Sequence, residues 1–542
     1  MPGFLTSLTL AAIIAALLAA TGPARASASA DLILTDGVLH AAREPTATAL
    51  AIRDGKIVYV GDNAGACALA GPNARFVDLA GRLISPGFRD RHMHPLSGGL
   101  RVLRCDLRFA ASPSAVRDAV RACAAGGESW LVGYGLKMGT LPAGFLTAAE
   151  LDALSPDRPA MLTTEDGRSA WVNSAAIGAA VLSGPGGVVA GEALARVRAA
   201  VPTPSQGTYR RALSMTLKAA ARFGITSIVD ASVSPAMLEA YVAAAKAGEL
   251  TARITAAQRY DCGEGHGQIK AAARRARKID DPFLRADAMK VFLDGEFDER
   301  SAALIDAYDD APGVRGDLCA PPPEIDRAVR DMQRRGLQAH FHAMGDRAVK
   351  AALDALAAAA PAAELREQRH NIAHAGLVAP EDLPRFKALG VVASLQPFLL
   401  PADELEVEAL TKTLGPERAS RLYPFAALAH SEADIVMGSD WPSPSMSPFA
   451  NIGAALSRSG PNAGLSAESL WSAYTSGGGR DARSGPGAIE ENAVADIIVI
   501  DRDIRSGEAS ALADAKVLLT LVGGREVWRD PALADAAACN EK

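Results

Sequence analysis

The segment PGFRDRHMHP, residues 86–95, carries the strongest clue to the fold of this chain. An apolar run from Leu83 leads into it, and His92 and His94 stand near its end. Because side chains alternate along a β-strand, both imidazoles point to the same side. Two imidazoles so placed can chelate one metal ion, although an isolated pair with this spacing is more often structural.

Seven further apolar runs follow this segment, separated by Ala-rich helical stretches. Continuous apolar strands alternating with helices are typical of a parallel sheet covered on both faces, and eight of them fit a closed barrel. The sequence therefore predicts an α/β fold with a (β/α)₈ TIM-like barrel over residues 84–484, with an insertion at about 100–215. The predicted strands are Leu83–His94, Ile225–Ala231, Ala252–Gln258, Ala288–Leu293, Gln338–His342, Asn371–His374, Val391–Leu395 and Ile435–Met437.

Short β-rich runs lie near both ends of the chain. Asp54-Gly55 separates two of them and is a strong hairpin signal. A similar texture returns in residues 495–500 and 517–522. Neither end has enough strands for a stable sheet alone. We therefore predict one small composite β-sandwich domain, built from residues 31–83 and 485–542.

Residues 1–30 have the pattern of a secretory signal peptide. An apolar run over residues 4–20 is followed by small-residue cleavage sites ending at Ala26, Ala28 or Ala30. No Lys or Arg precedes the run, which leaves an uncleaved anchor or a misassigned start as alternatives. We expect a periplasmic or secreted protein with no membrane span in the mature chain.

Length and charge indicate what kind of molecule the protein binds. A chain of 542 residues suits a large barrel plus a smaller domain, at roughly 150 residues per domain. The 56 Lys and Arg against 62 Asp and Glu, without a long basic run, give no footprint for nucleic acid, so we expect a small-molecule substrate. Homo-oligomerisation stays open. The six cysteines include no C-x-x-C, and export permits one or two disulfides, for which Cys105–Cys123 is a candidate pair.

Further polar residues end other predicted strands, namely His342, His374 and Asp440. Barrel enzymes place their catalytic groups at these C-terminal ends. A core held together by packing alone would not bring four imidazoles and a carboxylate to one end of the barrel. The pattern therefore favours a metal site.

Lys290 lies within the apolar fourth strand. Its amine either escapes to the barrel end, pairs with Asp294, or stays buried with a lowered pKa. A buried amine of that kind can react with CO₂ to give N6-carboxylysine, an anionic bridge between two metal ions.

Six ordered motifs resemble those of the amidohydrolase superfamily, in the branch called amidohydrolase family 3. The resemblance covers about residues 31–530 and implies a metal-dependent hydrolase of the C–N bond in amides, N-acyl or N-formyl groups, acting through a metal-activated water. The motifs are SPGFRDRHMHP (85–95), DGRSAWVNS (166–174), KVFLDG (290–295) with Arg300, HFHAMGDRAV (340–349), RHNIAH (369–374) and GSDWP (438–442).

The resemblance implies a site for one or two divalent ions. Zinc is the expected ion, with Mn, Fe or Ni as alternatives. Asp440 is implied to bind metal and to act as general base and acid. The implied ligands are His92 and His94 for one ion, His342 and His374 for the second, carboxylated Lys290 between them, and Asp440.

Two histidines near these motifs receive other roles. His340 has the same strand parity as His342, but His342 is preferred as the ligand because it is nearer the mouth. We then expect His340 in a lower layer of the barrel, and His370 as a hydrogen bonder at the start of its strand.

The residues implied to bind substrate include departures from the family pattern. Arg168 stands where His is usual, and Glu296 where Ser is usual, so Arg168 either reads a substrate carboxylate or pairs with Glu296. Asn492-Ala493 replaces a common Gly-Lys, and Asn can take the left-handed turn that Gly normally fills. The implied substrate-binding residues are Asp166, Arg168, Trp171, Asn173 and Arg300.

Two other functions stay open. A cyclic amidase or deaminase would use the same metal site on a ring or imine carbon. A barrel that has lost catalysis would be a binding protein.

Overall fold

The computed structural model describes residues 29–40, 44, 46–126, 129–138, 141–142, 144–164, 167–184, 186–442, 445–457, 465–477, 487–505 and 509–541. Residues 1–28, which hold nearly all of the predicted signal peptide, lie outside this set. In chain order the strands are β1 (Ala30–Thr35), β2 (Val38–Leu39), β3 (Ala49–Arg53), β4 (Lys56–Gly61), β5 (Ala70–Asp78), β6 (Leu83–Pro86), β7 (Phe88–Met93), β8 (Cys105–Asp106), β9 (Leu131–Leu136), β10 (Ala160–Thr164), β11 (Ser169–Val172), β12 (Gly187–Ala190), β13 (Ile225–Val233), β14 (Arg253–Tyr260), β15 (Leu284–Phe292), β16 (Gln338–Ala343), β17 (Asn371–His374), β18 (Val392–Leu395), β19 (Asp434–Met437), β20 (Ile497–Ile500), β21 (Val517–Val522) and β22 (Arg525–Arg529).

The α-helices span Asn63–Cys67, Pro95–Leu103, Pro113–Ala124, Ala148–Leu154, Ser174–Ala179, Gly191–Ala200, Gln206–Arg222, Pro235–Lys246, Gly267–Ala276, Pro322–Arg334, Asp346–Ala359, Ala362–Gln368, Leu383–Leu389, Glu404–Leu414, Pro416–Ala419, Phe425–His430, Pro448–Ser457, Ala467–Tyr474 and Ala509–Asp514. Capping residues determine where several of these helices begin. The hydroxyl of Ser234 accepts the N–H of Met237, and Pro235 takes the first helical position, where a missing N–H costs nothing. None of the helices in the described ranges is long and apolar enough to cross a membrane.

Eight parallel strands form the barrel, hydrogen-bonded in the order β7-β13-β14-β15-β16-β17-β18-β19. The predicted α/β barrel is confirmed. Two backbone hydrogen bonds join the two ends of this sheet at the mouth: Asp440 N–H donates to the carbonyl of His92 at 2.7 Å, and His94 N–H to that of Trp441 at 2.9 Å. The C-terminal end of β7 is thereby fixed beside the segment that follows β19.

The first barrel strand begins later than predicted. Leu83–Pro86 (β6) pairs with β20, and Ile84 is fully buried in the core that these strands share. The barrel strand starts only at Phe88. A Cβ on Gly87 would collide with the side chain of Thr226, so a glycine is needed where the chain enters the barrel. The apolar run therefore belongs to two sheets, which its hydrophobicity alone could not reveal.

Residues 29–86, 488–503 and 516–541 form one compact unit. It contains a four-stranded sheet, β4-β3-β1-β5, and a five-stranded sheet, β2-β6-β20-β21-β22, which share one apolar core. Asp54 (φ 48°) and Gly55 (φ 74°) make the predicted tight turn between β3 and β4. Asn492 takes the left-handed conformation (φ 68°) expected of it. Residues 504–515 group instead with the barrel unit, where the helix Ala509–Asp514 contacts the helix Pro448–Ser457.

The insertion after β7 has a sheet of its own, in the order β12-β11-β10-β9-β8. Apolar clusters form on this sheet, one around Leu131 and Leu162 and another around Val132 and Val172. The helix Gln206–Arg222, at the end of the predicted insertion, contacts β13 and is a barrel helix. The insertion is thus a small α/β layer with its own core.

All six cysteines are paired, as Cys67–Cys539, Cys105–Cys123 and Cys262–Cys319, with Cα atoms 5.5–5.8 Å apart. The candidate pair Cys105–Cys123 is one of them, and the described residues hold three disulfides where one or two were expected. The other two close loops of 472 and 57 residues and could not be read from spacing.

Gly438, directly after β19, allows β7 to approach closely. A Cβ built there would lie 2.6 Å from both the backbone nitrogen and the Cβ of His92. We expect Gly438→Ala to destabilise the protein by about 1–3 kcal/mol, as overpacking of a core does. The thermal unfolding midpoint should fall accordingly.

Gly453→Ala is the matched control. Gly453 lies inside the helix Pro448–Ser457, and an added Cβ meets nothing within 4 Å. The same change should therefore raise stability by about 0.5–1 kcal/mol, because glycine is a poor helix former. A Gly438→Ala protein as stable as the wild type would show that β7 and β19 can separate freely.

Candidate metal centre

The end of β7 presents two imidazoles at the barrel mouth. His92 is fully buried, whereas the side chain of His94 is 22% exposed. The buried carboxylate of Asp90 accepts the backbone N–H of His92 at 3.2 Å and that of Ser439 at 3.1 Å. Burial raises the pKa of Asp90 to about 7, against the opposing effect of these hydrogen bonds. Asp90 thus holds the end of β7 and the segment after β19 in place. Its position in the first motif did not predict this role.

Asp440 stands opposite this pair. One carboxylate oxygen lies 3.2 Å from His94 Nε2 and 3.6 Å from His92 Nε2. Its backbone is left-handed (φ 52°), an uncommon conformation that turns the side chain back towards β7. Ligand atoms of these three residues lie within 4.8 Å of one another, and the described ranges contain no second trio of this kind.

Lys290 contributes a buried amine, 1% exposed, whose Nζ lies 3.3 Å from His92 Nε2. Asp294, its alternative partner, instead accepts the backbone N–H groups of Ala303 and Gly345. Burial lowers the pKa of the Lys290 amine to about 7, although Asp440 and Glu296 oppose the shift. The amine is therefore largely desolvated and close to a histidine at the centre of the site.

His340 and His342 have different neighbours in the structure. His340 Nε2 lies 2.8 Å from His92 Nδ1, so His340 orients the imidazole of His92 from the layer below. The ring of His342 lies 4.6 Å from that of His374, one layer nearer the mouth. His370 makes the hydrogen bonds expected at a strand start, since its Nδ1 accepts the N–H of Ala339 at 2.8 Å.

The donor set fits a divalent metal. His374 Nδ1 is buried and, among the described residues, has no hydrogen-bond partner, which is costly unless the atom serves a ligand. Burial lowers the pKa of His92 and of His374 well below the ordinary value, with the nearby Lys290 adding to it, and lowers that of His342 to about 3. These imidazoles are therefore neutral, which is the form that binds metal. Neutral imidazoles with carboxylates suit zinc.

Asp230 is a second supporting carboxylate that sequence reasoning missed. It is fully buried in the C-terminal half of β13, 4.0 Å from His94 Nδ1, and it accepts the hydroxyl of Tyr241 at 2.7 Å. Burial raises the pKa of Asp230 to about 6, while His94 and Tyr241 lower it. A carboxylate behind a metal-binding histidine fixes its orientation. The available signal was an Asp inside the apolar run that forms β13.

The carboxylate of Glu296 is half-exposed and lies 3.8 Å from His342 Nε2. Partial burial and the neighbouring carboxylates of Asp294 and Asp440 raise its pKa to about 7. Arg168 does not pair with it. The Arg168 guanidinium instead contacts Asp298 at 2.6 Å and Glu299 at 3.1 Å, so its charge is already balanced.

The other residues implied to bind substrate are dispersed. Asp166 lies outside the described residues. Arg300 lines a pocket of about 530 Å³ but pairs with Asp310 at 2.5 Å.

Contrary to the expectation, Trp171 and Asn173 do not face the mouth of the barrel. Trp171 is fully buried in the core of the insertion, and its indole N–H donates to the carbonyl of Thr147 at 2.8 Å. Asn173 is 1% exposed and caps the helix Ser174–Ala179. Both side chains are used to hold the insertion together, because the motif to which they belong forms its inner strand β11, between β10 and β12, and the turn after it.

Comparison with known proteins agrees with this geometry. A sequence profile described as the amidohydrolase family matches residues 75–528. The chain is 28% identical to the protein LONG AFTER FAR-RED 3 of Arabidopsis thaliana, over 92% of each chain. It is 24% identical to an N-substituted formamide deformylase of Arthrobacter pascens, over 89% of this chain and 95% of that one.

Among solved structures, an uncharacterized metal-dependent hydrolase from Pyrococcus furiosus superposes with a TM-score of 0.76 at 25% identity. The match covers 87% of this chain and 99% of the other. Because the profile spans most of the sequence and includes every strand of the barrel, the chain belongs to the amidohydrolase family.

Proposed function

We propose that this protein is a metal-dependent hydrolase that cleaves the C–N bond of an amide, N-acyl or N-formyl group in a small molecule. The observation that carries this proposal is the convergence of His92, His94 and Asp440 within 4.8 Å at the barrel mouth, beside the buried Lys290. Strand ends at this face are where barrel enzymes perform chemistry.

His92, His94 and Asp440 would hold one divalent ion, for which zinc is our proposal. His342 and His374 would serve a second ion, with Lys290 as an N6-carboxylysine bridge. When bound, such a cation supplies Lewis acidity, which makes water acidic near neutral pH and polarises a carbonyl. The carboxylates of Asp90 and Asp230 and the imidazole of His340 keep the ligands oriented.

Asp440 is the group that we propose moves the proton. Its side chain is 26% exposed, so a substrate and a water can reach the carboxylate while its backbone stays fixed. The carboxylate would accept a proton as water attacks the carbonyl carbon, and would return it to the nitrogen as the C–N bond breaks. The products are then a carboxylic acid and an amine, with no other reactant required.

Replacing Asp440 by Asn tests the proposed reaction. The amide has the same size but cannot accept a proton, so we expect amine release from N-formyl and N-acetyl amines to fall at least about 100-fold. The measurement is steady-state turnover of the zinc-loaded full chain. Wild-type activity should disappear on chelation and return with zinc.

Asp434→Asn is the matched control. Asp434 begins the same strand, β19, and its half-exposed carboxylate pairs with Arg369 at 2.7 Å. Turnover should stay within about twofold of the wild type, as for most surface changes.

Near-wild-type turnover by Asp440→Asn would disprove the proton role. Wild-type protein that neither binds metal nor hydrolyses such amides would indicate a binding barrel, and activity on cyclic or imine substrates alone would indicate the cyclic amidase or deaminase.

Lys290→Met removes the proposed bridge. Methionine fills a similar volume but cannot form a carbamate, so metal content and turnover should fall together. Metal per chain is measured by mass spectrometry after reconstitution with zinc, with and without bicarbonate. Lys387→Met, which removes an exposed lysine paired with Glu432, should keep full metal. Full metal in Lys290→Met would mean that Lys290 is structural and that the site holds one ion.

We also propose that the protein works in an oxidising compartment after export. The pairing of all six cysteines supports this, because such disulfides rarely persist in a reducing cytosol. Alkylation of the native protein, isolated from the periplasm or medium, should label no thiol before reduction and six after it. Six labelled thiols in native protein would contradict the proposal.

A further inference from the structure

The two arginines that the resemblance implies to bind substrate are already neutralised. Arg168 is held by Asp298 and Glu299, and Arg300 by Asp310. A guanidinium that is paired with carboxylates of its own chain has less charge and fewer N–H donors left for a substrate anion. A cation without such a partner is better placed to bind one.

Arg259, near the end of β14, meets this requirement. It is aligned with Lys290 on β15, which is aligned in turn with His340 on β16. Aligned residues of neighbouring parallel strands point to the same side of the sheet. Lys290 and His340 both contact His92 inside the barrel, so Arg259 points into the same mouth.

The neighbouring residues agree with this direction. Gln258 points to the outer side, where its amide donates to the carbonyl of Ala272 in the helix Gly267–Ala276 at 3.1 Å. Ala257, two residues before Arg259, packs with Val229 and Ala288 in the barrel interior. Side-chain alternation therefore places Arg259 above the interior layer.

Arg259 is exposed and rests against an aromatic ring. Its guanidinium carbon lies 5.8 Å from the ring centre of Phe292, which is itself 37% exposed although it ends a buried strand. The same ring lies 5.5 Å from the ring of His342 and 4.8 Å from Lys290 Nζ. Phe292 thus lies close both to residues of the candidate metal centre and to Arg259.

Within the described part of the chain, Arg259 makes no ion pair, and its guanidinium carbon lies over the ring of Phe292. An aromatic face attracts a guanidinium in this position and leaves its N–H groups able to donate. The loop after β15 supplies carboxylates instead: Asp298 and Glu299 pair with Arg168, and Glu296 lies 3.8 Å from His342 Nε2. An anionic group entering the mouth is therefore attracted towards Arg259 on β14.

We propose that Arg259, supported by the ring of Phe292, binds a carboxylate carried by the substrate next to the scissile amide, so that N-acyl amino acids are preferred over neutral N-alkyl amides. The proposal rests on the proposed hydrolase function. A planar fork of N–H donors matches a carboxylate in two parallel hydrogen bonds. Phe292 would then cover the apolar atoms between that carboxylate and the amide at His342.

The test compares two probes that differ only in the carboxylate, N-acetylphenylalanine and N-acetylphenethylamine. For Arg259→Gln in the zinc-loaded full chain, we expect KM for the acid to rise about 10- to 100-fold, as for loss of a hydrogen bond to a charged group. Its kcat should change little, and KM for the neutral amide should stay the same. Arg259→Lys keeps the charge but loses the fork, and should lie between the two.

Arg253→Gln is the matched control. Arg253 begins the same strand and also stacks on a phenylalanine, Phe283, with its guanidinium carbon 4.8 Å from the ring centre, but at the opposite end of β14. It should leave the ratio of the two KM values unchanged. Calorimetric binding of both probes gives a second measure, which remains informative if neither is hydrolysed. Absence of turnover would then count against hydrolysis of N-acetyl amides without touching the role of Arg259.

Three results would overturn the proposal. Wild-type protein could bind the acid no better than the neutral amide. Arg259→Gln could keep the wild-type preference. Alternatively, the preference could be lost in Arg168→Gln and retained in Arg259→Gln. That result would mean that Arg168, in the insertion, binds the substrate carboxylate.

Discussion

The buried carboxylate of Asp90 ties the first barrel strand to the segment that follows the last. It accepts one backbone N–H from His92 and one from Ser439, 349 positions further along the chain. Gly438 permits the approach, since any side chain there would meet His92. The pairing of His92 and His94 with Asp440 depends on this junction, because two strands from opposite ends of the barrel sequence must meet in one register.

Most of the barrel could be predicted from sequence because its strands are continuous apolar runs, whose burial on both faces leaves little ambiguity. The error at the first strand shows the limit of that signal. Ile84 and Phe88 are equally apolar and equally buried, but they belong to different sheets. Strand pairing is a long-range property, and the pairing of Leu83–Pro86 with β20 depends on residues more than 400 positions away.

The candidate site could be predicted where side-chain alternation and the position of a strand end determine which way a side chain points. Parity could not separate His340 from His342, since both point inwards, and only the hydrogen bond to His92 assigns the former to a supporting role. Trp171 and Asn173 belong to a recognisable motif, but a motif does not state whether its side chains face a ligand or hold a turn. The partners of Arg168 lie 130 and 131 positions away, beyond any local rule.

The sheet β2-β6-β20-β21-β22 also constrains the order in which the molecule can be completed. Its first two strands leave the ribosome early, whereas their neighbour β20 is made only after the entire barrel. Until then β6 offers an open edge, with N–H and C=O groups and apolar side chains that water or a chaperone must cover. The nascent chain therefore carries an unfinished half of this domain throughout synthesis of the barrel, and the sheet can be completed only after the last barrel strand has been made.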